Sequence, residues 1–134
     1  MTERNNQLFR HIVKEFYHVA TTDFLIGYQF RKIQTKEGLN PLLPPIEAFE
    51  SHLPRIEKFW RMILLGERLE DSPPFDLIGV HRNLRIRKGE LDRWVLLFNQ
   101  TLEDNVDQLG VELKDDWIEK VEIFRGRFTK VLFS

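Results

Sequence analysis

Cysteine is absent from the 134 residues. That absence excludes disulfides, thiolate catalysis, cysteine-ligated zinc and iron–sulfur clusters together. An excess of charge of one sign is also lacking. Twenty basic residues meet 21 acidic ones for a net charge of -1, so no broad field draws the chain to nucleic acid or to an anionic membrane. No apolar run nears the roughly 20 residues of a membrane span. The opening Met1-Thr2-Glu3-Arg4-Asn5-Asn6-Gln7 has no apolar centre of a secretion signal. A cytoplasmic chain without membrane or nucleic-acid partners is expected. Phosphate-cradling glycine loops, His-Glu-x-x-His, calcium loops of alternating acids and nucleophile elbows are missing too, which leaves no common catalytic motif.

What is present is apolar and helical. Hydrophobic residues make up 42% of the chain, among them 11 Phe, 3 Trp and 2 Tyr, enough to bury the core of one domain over residues 1–134. From Leu8 to Ala20, the residues Leu8, Ile12, Val13, Phe16 and Val19 recur at helical spacing. Tyr17 shares a partly buried face with Val13 and Ala20, so its hydroxyl needs a partner there; a backbone carbonyl is the common one. His11 and His18 lie among polar neighbours and read as solvated. Thr22-Asp23 can cap a short helix from Phe24 to Phe30, interrupted by Gly27. Arg31 to Pro45, with Gly38, Pro41, Pro44 and Pro45, reads as a loop.

The next helix carries Ile46, Phe49, Leu53, Ile56, Phe59, Trp60, Ile63 and Leu64 and ends near Gly66. Either it starts at Ile46 and Pro54 kinks it, or Ser51 caps a fresh start with Pro54 in the tolerated first turn. His52, Ile56 and Phe59 then project from one stripe, with the imidazole at the edge of an apolar face. Glu67 to Pro74 reads as a loop, and Phe75 to Val80 as a helical turn or two before His81. A helix from about Lys88 to Asp104 gathers Leu91, Trp94, Val95, Phe98 and Leu102. A last one, from about Leu113 to Leu132, gathers Trp117, Val121, Phe124, Phe128 and Val131. Alternation of period two is absent, so the fold reads as all-α. The acidic pairs Glu103-Asp104 and Asp115-Asp116 are neighbours that point apart on a helix, and read as solvated faces.

Four chemistry-bearing side chains thus stand on separate apolar stripes: Tyr17, His52, His81 and Trp94. Because each helix of an all-α domain can bury its stripe only against the others, their polar tips are expected to converge. A lone His beside apolar residues is more often a hydrogen-bonded core or surface side chain than a ligand, so the chemistry needs the wider pattern.

That pattern resembles the truncated haemoglobins, most closely their third group, over Leu8 to Leu132. The matching pieces are Phe16-Tyr17, Asp23-x-Leu25-x-Gly27-x-x-Phe30, His52-x-x-x-Ile56-x-x-Phe59-Trp60, Leu64-Leu65-Gly66-Glu67, His81-x-x-Leu84 and Asp92-Arg93-Trp94-x-x-Leu97-Phe98. The resemblance implies a small globin-like, two-over-two helical sandwich around haem b (iron protoporphyrin IX). It implies that His81 is the proximal ligand of the haem iron, and that Phe30, His52, Ile56 and Trp94 also contact the cofactor. Tyr17, His52 and Trp94 would form the distal ligand pocket. The Tyr17 hydroxyl and Trp94 indole N–H would stabilise the partial negative charge on iron-bound dioxygen, and His52 would do likewise, gate ligand entry or bind iron itself. The expected partner is O2, NO or CO. Nitric oxide dioxygenation or peroxidase-like chemistry would further require an unidentified reductase. Pro54, the proline-rich loop from Leu39 to Pro45, a long segment from Glu67 to His81, and Leu91 where an aromatic is common depart from the family pattern. They keep open a haem-free or haem-sensing globin-fold module.

Overall fold

The computed structural model describes residues 2–36, 38, 47, 52–66 and 85–133, of which 2–5 and 36 by backbone alone. The prolines of the 39–46 stretch, Ser51 as a cap, the loop 67–74, the turns at 75–80 and His81 lie outside the described residues. Among the described residues every regular element is a helix, and the chain is all-α. In chain order these are α1 (Thr2–Thr21), α2 (Gly27–Lys36), α3 (Leu53–Leu65), α4 (Lys88–Asp104), the short α5 (Val106–Leu109) and α6 (Val111–Leu132).

The second helix departs most from expectation. Residues 24–26 form a turn, and α2 continues into the stretch read as a loop. The Asp23 carboxylate accepts the N–H groups of Leu25 and Ile26 at 2.9 and 3.2 Å. Those bonds hold the first residues after α1 in a turn and delay the helix to Gly27. Nothing from Arg31 to Lys36 then breaks it, because the first breaker is Gly38 at φ 68°. α3 settles the placement of Pro54, which sits in its first turn, where a missing N–H costs no intrahelical bond. His52 stands at the N-cap position, with φ -87° and ψ -19°. Gly66, at φ 71°, ends the helix by donating its N–H to the Met62 carbonyl at 3.1 Å.

α1 packs against α2, α3 and α4, while α6 packs against α3, α4 and α5. The four longest helices therefore close a ring of contacts around one apolar core. Its fully buried members include Trp117, Phe9, Phe16, Phe98 and Ile12. Phe98 is the hub. Its ring centroid lies 4.6 Å from Phe16 of α1, 5.3 Å from Trp60 of α3, and 5.8 Å from Trp117 of α6. Two expected core residues are corrected: Val19 is 39% exposed and Val131 43%. Each lies three positions beyond a buried Phe, and a 3.6-residue turn carries such a neighbour off the centre of the stripe. On α1 the inward position after Phe16 goes to Ala20, which is wholly buried.

Candidate functional site

α1 carries Tyr17 next to Phe16, so the two rings leave the helix in different directions and meet edge to face at 4.8 Å. Trp94, on α4, also meets Phe16 edge to face, at 5.4 Å. It lies 5.2 Å from Phe98, one turn further along α4. Phe30 enters from α2 and meets Tyr17 at 5.8 Å with an interplanar angle of 84°. Tyr17, Phe30 and Trp94 thus come from three helices to one aromatic cluster, in which Phe16 touches both Tyr17 and Trp94. The T-shaped contacts place ring edges on ring faces, the arrangement aromatic quadrupoles favour.

The corner is part buried and part open. Phe16 is wholly buried and Phe30 is 9% exposed, while Tyr17 and Trp94 are half-buried. Burial desolvates the Tyr17 hydroxyl and raises its pKa far above the ordinary value near 10. Tyr17 is therefore a neutral hydroxyl, able to donate, across the physiological range.

The sign of that shift gives a test on the haem-free chain. A tyrosine whose folded pKa is raised contributes stability that is complete below pH 10 and is lost as pH rises, because the unfolded chain ionises first. Between pH 9 and 11 the wild type should lose about 1 kcal/mol more stability than Tyr17→Phe. Urea melts of both proteins at the two pH values measure it, and equal losses would show that the hydroxyl is solvated.

α3 packs on α1, with the distal candidate His52 at its N-cap and the cofactor-contact candidate Ile56 in its first turns. His52 and Ile56 are both half-buried, one helical turn apart. His81 lies outside the described residues. The two remaining histidines are exposed as expected, with His11 at 3.2 Å from Glu15. Glu103 and Asp115 are exposed, and both meet Lys114, at 3.1 and 3.0 Å.

Two polar connections at this corner escaped the reading of the sequence. Arg93, next to Trp94, donates from Nη2 to Asp23 Oδ1 at 2.8 Å and from Nε to both Asp23 oxygens at 3.2 and 3.3 Å. The Arg93 hydrogen bond, helped by the N–H groups of Leu25 and Ile26, holds the Asp23 carboxyl below its usual range. Gln29, buried beside Phe30, donates to the Glu90 carboxylate at 3.1 and 3.2 Å. Glu90 also accepts the Arg87 N–H at 2.8 Å, capping α4. Asp23 and Arg93 each stand in one of the matching motif pieces, but a pair so distant in the chain leaves no periodic mark.

Among the described residues no group of three or more His, Asp or Glu side chains could hold a metal ion. None of their helices is long and apolar enough to cross a membrane. Compared with protein-family models, curated proteins and solved structures, the chain matches none.

Proposed function

We propose that the chain is a haem protein of the truncated-haemoglobin type that binds a diatomic gas. The observation that carries this reading is that Tyr17 meets Phe30 directly and Trp94 through Phe16, which brings rings from three helices to one partly buried aromatic corner. A buried apolar wall suits a flat macrocycle, and two donors beside it suit a small polar ligand. The described residues therefore fit the distal side of a haem.

The pairing of the helices supports the same reading. α1 lies on α3 and α4 lies on α6, and across these pairs α1 meets α4 and α3 meets α6. A two-over-two sandwich would have this contact scheme, as would other four-helix packings. Haem, when bound, supplies the open coordination position at which a diatomic gas is held. Phe30 would then pack on the macrocycle, with Ile56 extending the apolar wall. Tyr17 would donate its hydroxyl and Trp94 its indole N–H toward a polar ligand. His52 would add an imidazole from the start of α3, and His81 would serve as the axial ligand through a neutral ring nitrogen.

Titration of the purified chain with haemin tests this directly. One equivalent is expected to produce a Soret band, which shifts when the reduced protein meets carbon monoxide. Failure to saturate near one equivalent, or a band indifferent to carbon monoxide, would refute the reading.

A further inference from the structure

We propose that Asp23 and Arg93 form a positioning pair, setting the register of α4 on α1 so that the Trp94 indole and Tyr17 hydroxyl reach the same bound gas; this rests on the haem reading above. In the chain, Asp23 stands between Tyr17 and Phe30, and Arg93 immediately precedes Trp94. The Asp23 side chain is 5% exposed and Arg93 33%, and three hydrogen bonds join them in a fork.

The corner that Asp23 belongs to is stiff for reasons of its own. Its carboxylate accepts two backbone N–H groups of the following turn, at 2.9 and 3.2 Å. A Cβ on Gly27 would stand 2.9 Å from the Thr21 carbonyl oxygen, so α2 starts in tight contact with the last turn of α1. Tyr17 and Phe30 are therefore carried by one rigid corner, and Arg93 bolts that corner to α4 beside Trp94.

Aromatic packing alone would not set the register. The contacts of Phe16 with Trp94 and Phe98 are edge-to-face and tilted, at 79° and 51°, and such pairs tolerate a range of offsets. A helix slid by one residue moves about 1.5 Å, enough to take a donor out of hydrogen-bond range of its acceptor. The planar guanidinium fork accepts only a narrow geometry. With Tyr17 held on α1, the pair would act on the gas only by placing the Trp94 indole.

The test compares haem-loaded wild type, Asp23→Asn, Arg93→Lys, Trp94→Phe and the Asp23→Asn/Trp94→Phe double variant by the dissociation rates of dioxygen and carbon monoxide. Dioxygen takes a strong hydrogen bond when bound and carbon monoxide a weak one, so the two separate donor placement from general loosening. Asp23→Asn is expected to speed dioxygen dissociation about tenfold, the scale of one lost hydrogen bond. It should change carbon monoxide dissociation less than about twofold, and add less than about twofold in the Trp94→Phe background. Arg93→Lys, which keeps the charge but loses the fork, should fall between wild type and Asp23→Asn. In the haem-free chain the indole N–H resonance of Trp94, assigned by its loss in Trp94→Phe, should shift in Asp23→Asn while those of Trp60 and Trp117 stay.

A folded Asp23→Asn or Arg93→Lys protein with unchanged dioxygen dissociation would overturn the proposal. So would equal acceleration of both gases, or an effect that persists without Trp94. Each of those results leaves the wild-type haem spectrum intact. A wild type that takes up no haem would instead bring down the proposed function, and this inference with it.

Discussion

Phe98→Ala should cost the fold about 4 kcal/mol, the scale of truncating a large, fully buried aromatic. The ring is wholly buried and lies within 5.8 Å of aromatic partners on each of the other long helices. Its loss opens a cavity where all four helices meet, and the wholly buried Trp117 and Phe16 beside it have little freedom to collapse into the space. Because domains of this size are stable by only about 5–15 kcal/mol, the variant should be close to unfolded at body temperature. Phe98→Leu keeps most of the volume and should cost about 1 kcal/mol. Phe24→Ala, at a ring 94% exposed, should stay within about 0.5 kcal/mol of wild type. Urea denaturation of the three variants measures the series. Similar midpoints for Phe98→Ala and Phe24→Ala would contradict the placement of the core.

How far the sequence could be read depended on which kind of interaction carried the information. Helical periodicity is a local signal, and it located α1, α4 and α6 together with the inward set of Trp117, Val121, Phe124 and Phe128. It failed where a single side chain decided the outcome. Asp23 turned the backbone for three residues and moved α2 toward Lys36, and no spacing of apolar residues registers such a bond. Phe9, wholly buried, was passed over because the stripe drawn through Leu8 took the position beside it. Of the four side chains expected to converge, Tyr17 and Trp94 both touch Phe16, His52 stands at the start of α3, and His81 lies outside the described residues. The fork from Arg93 to Asp23 joins residues far apart in the chain, and only the packed helices reveal it.

His81→Ala carries the other large expected effect. A neutral imidazole from the chain is what would tether the iron, and apolar packing from Phe30 and Ile56 alone would leave the macrocycle weakly held. The affinity for haem should fall by at least about a hundredfold, since disturbing residues that merely support a metal ligand already costs about 10–100-fold. Tyr17→Phe and Trp94→Phe should retain haem, because both act on the gas rather than on the iron.

The most direct test of the account is therefore the ultraviolet–visible spectrum of haem-supplemented wild type and His81→Ala, in ferric, dithionite-reduced and carbon-monoxide-bound forms. A strong Soret band that shifts with carbon monoxide is expected in the wild type, and its loss or collapse in His81→Ala. A His81→Ala protein that keeps the wild-type ferrous spectrum, or a wild type without stoichiometric haem, would contradict it.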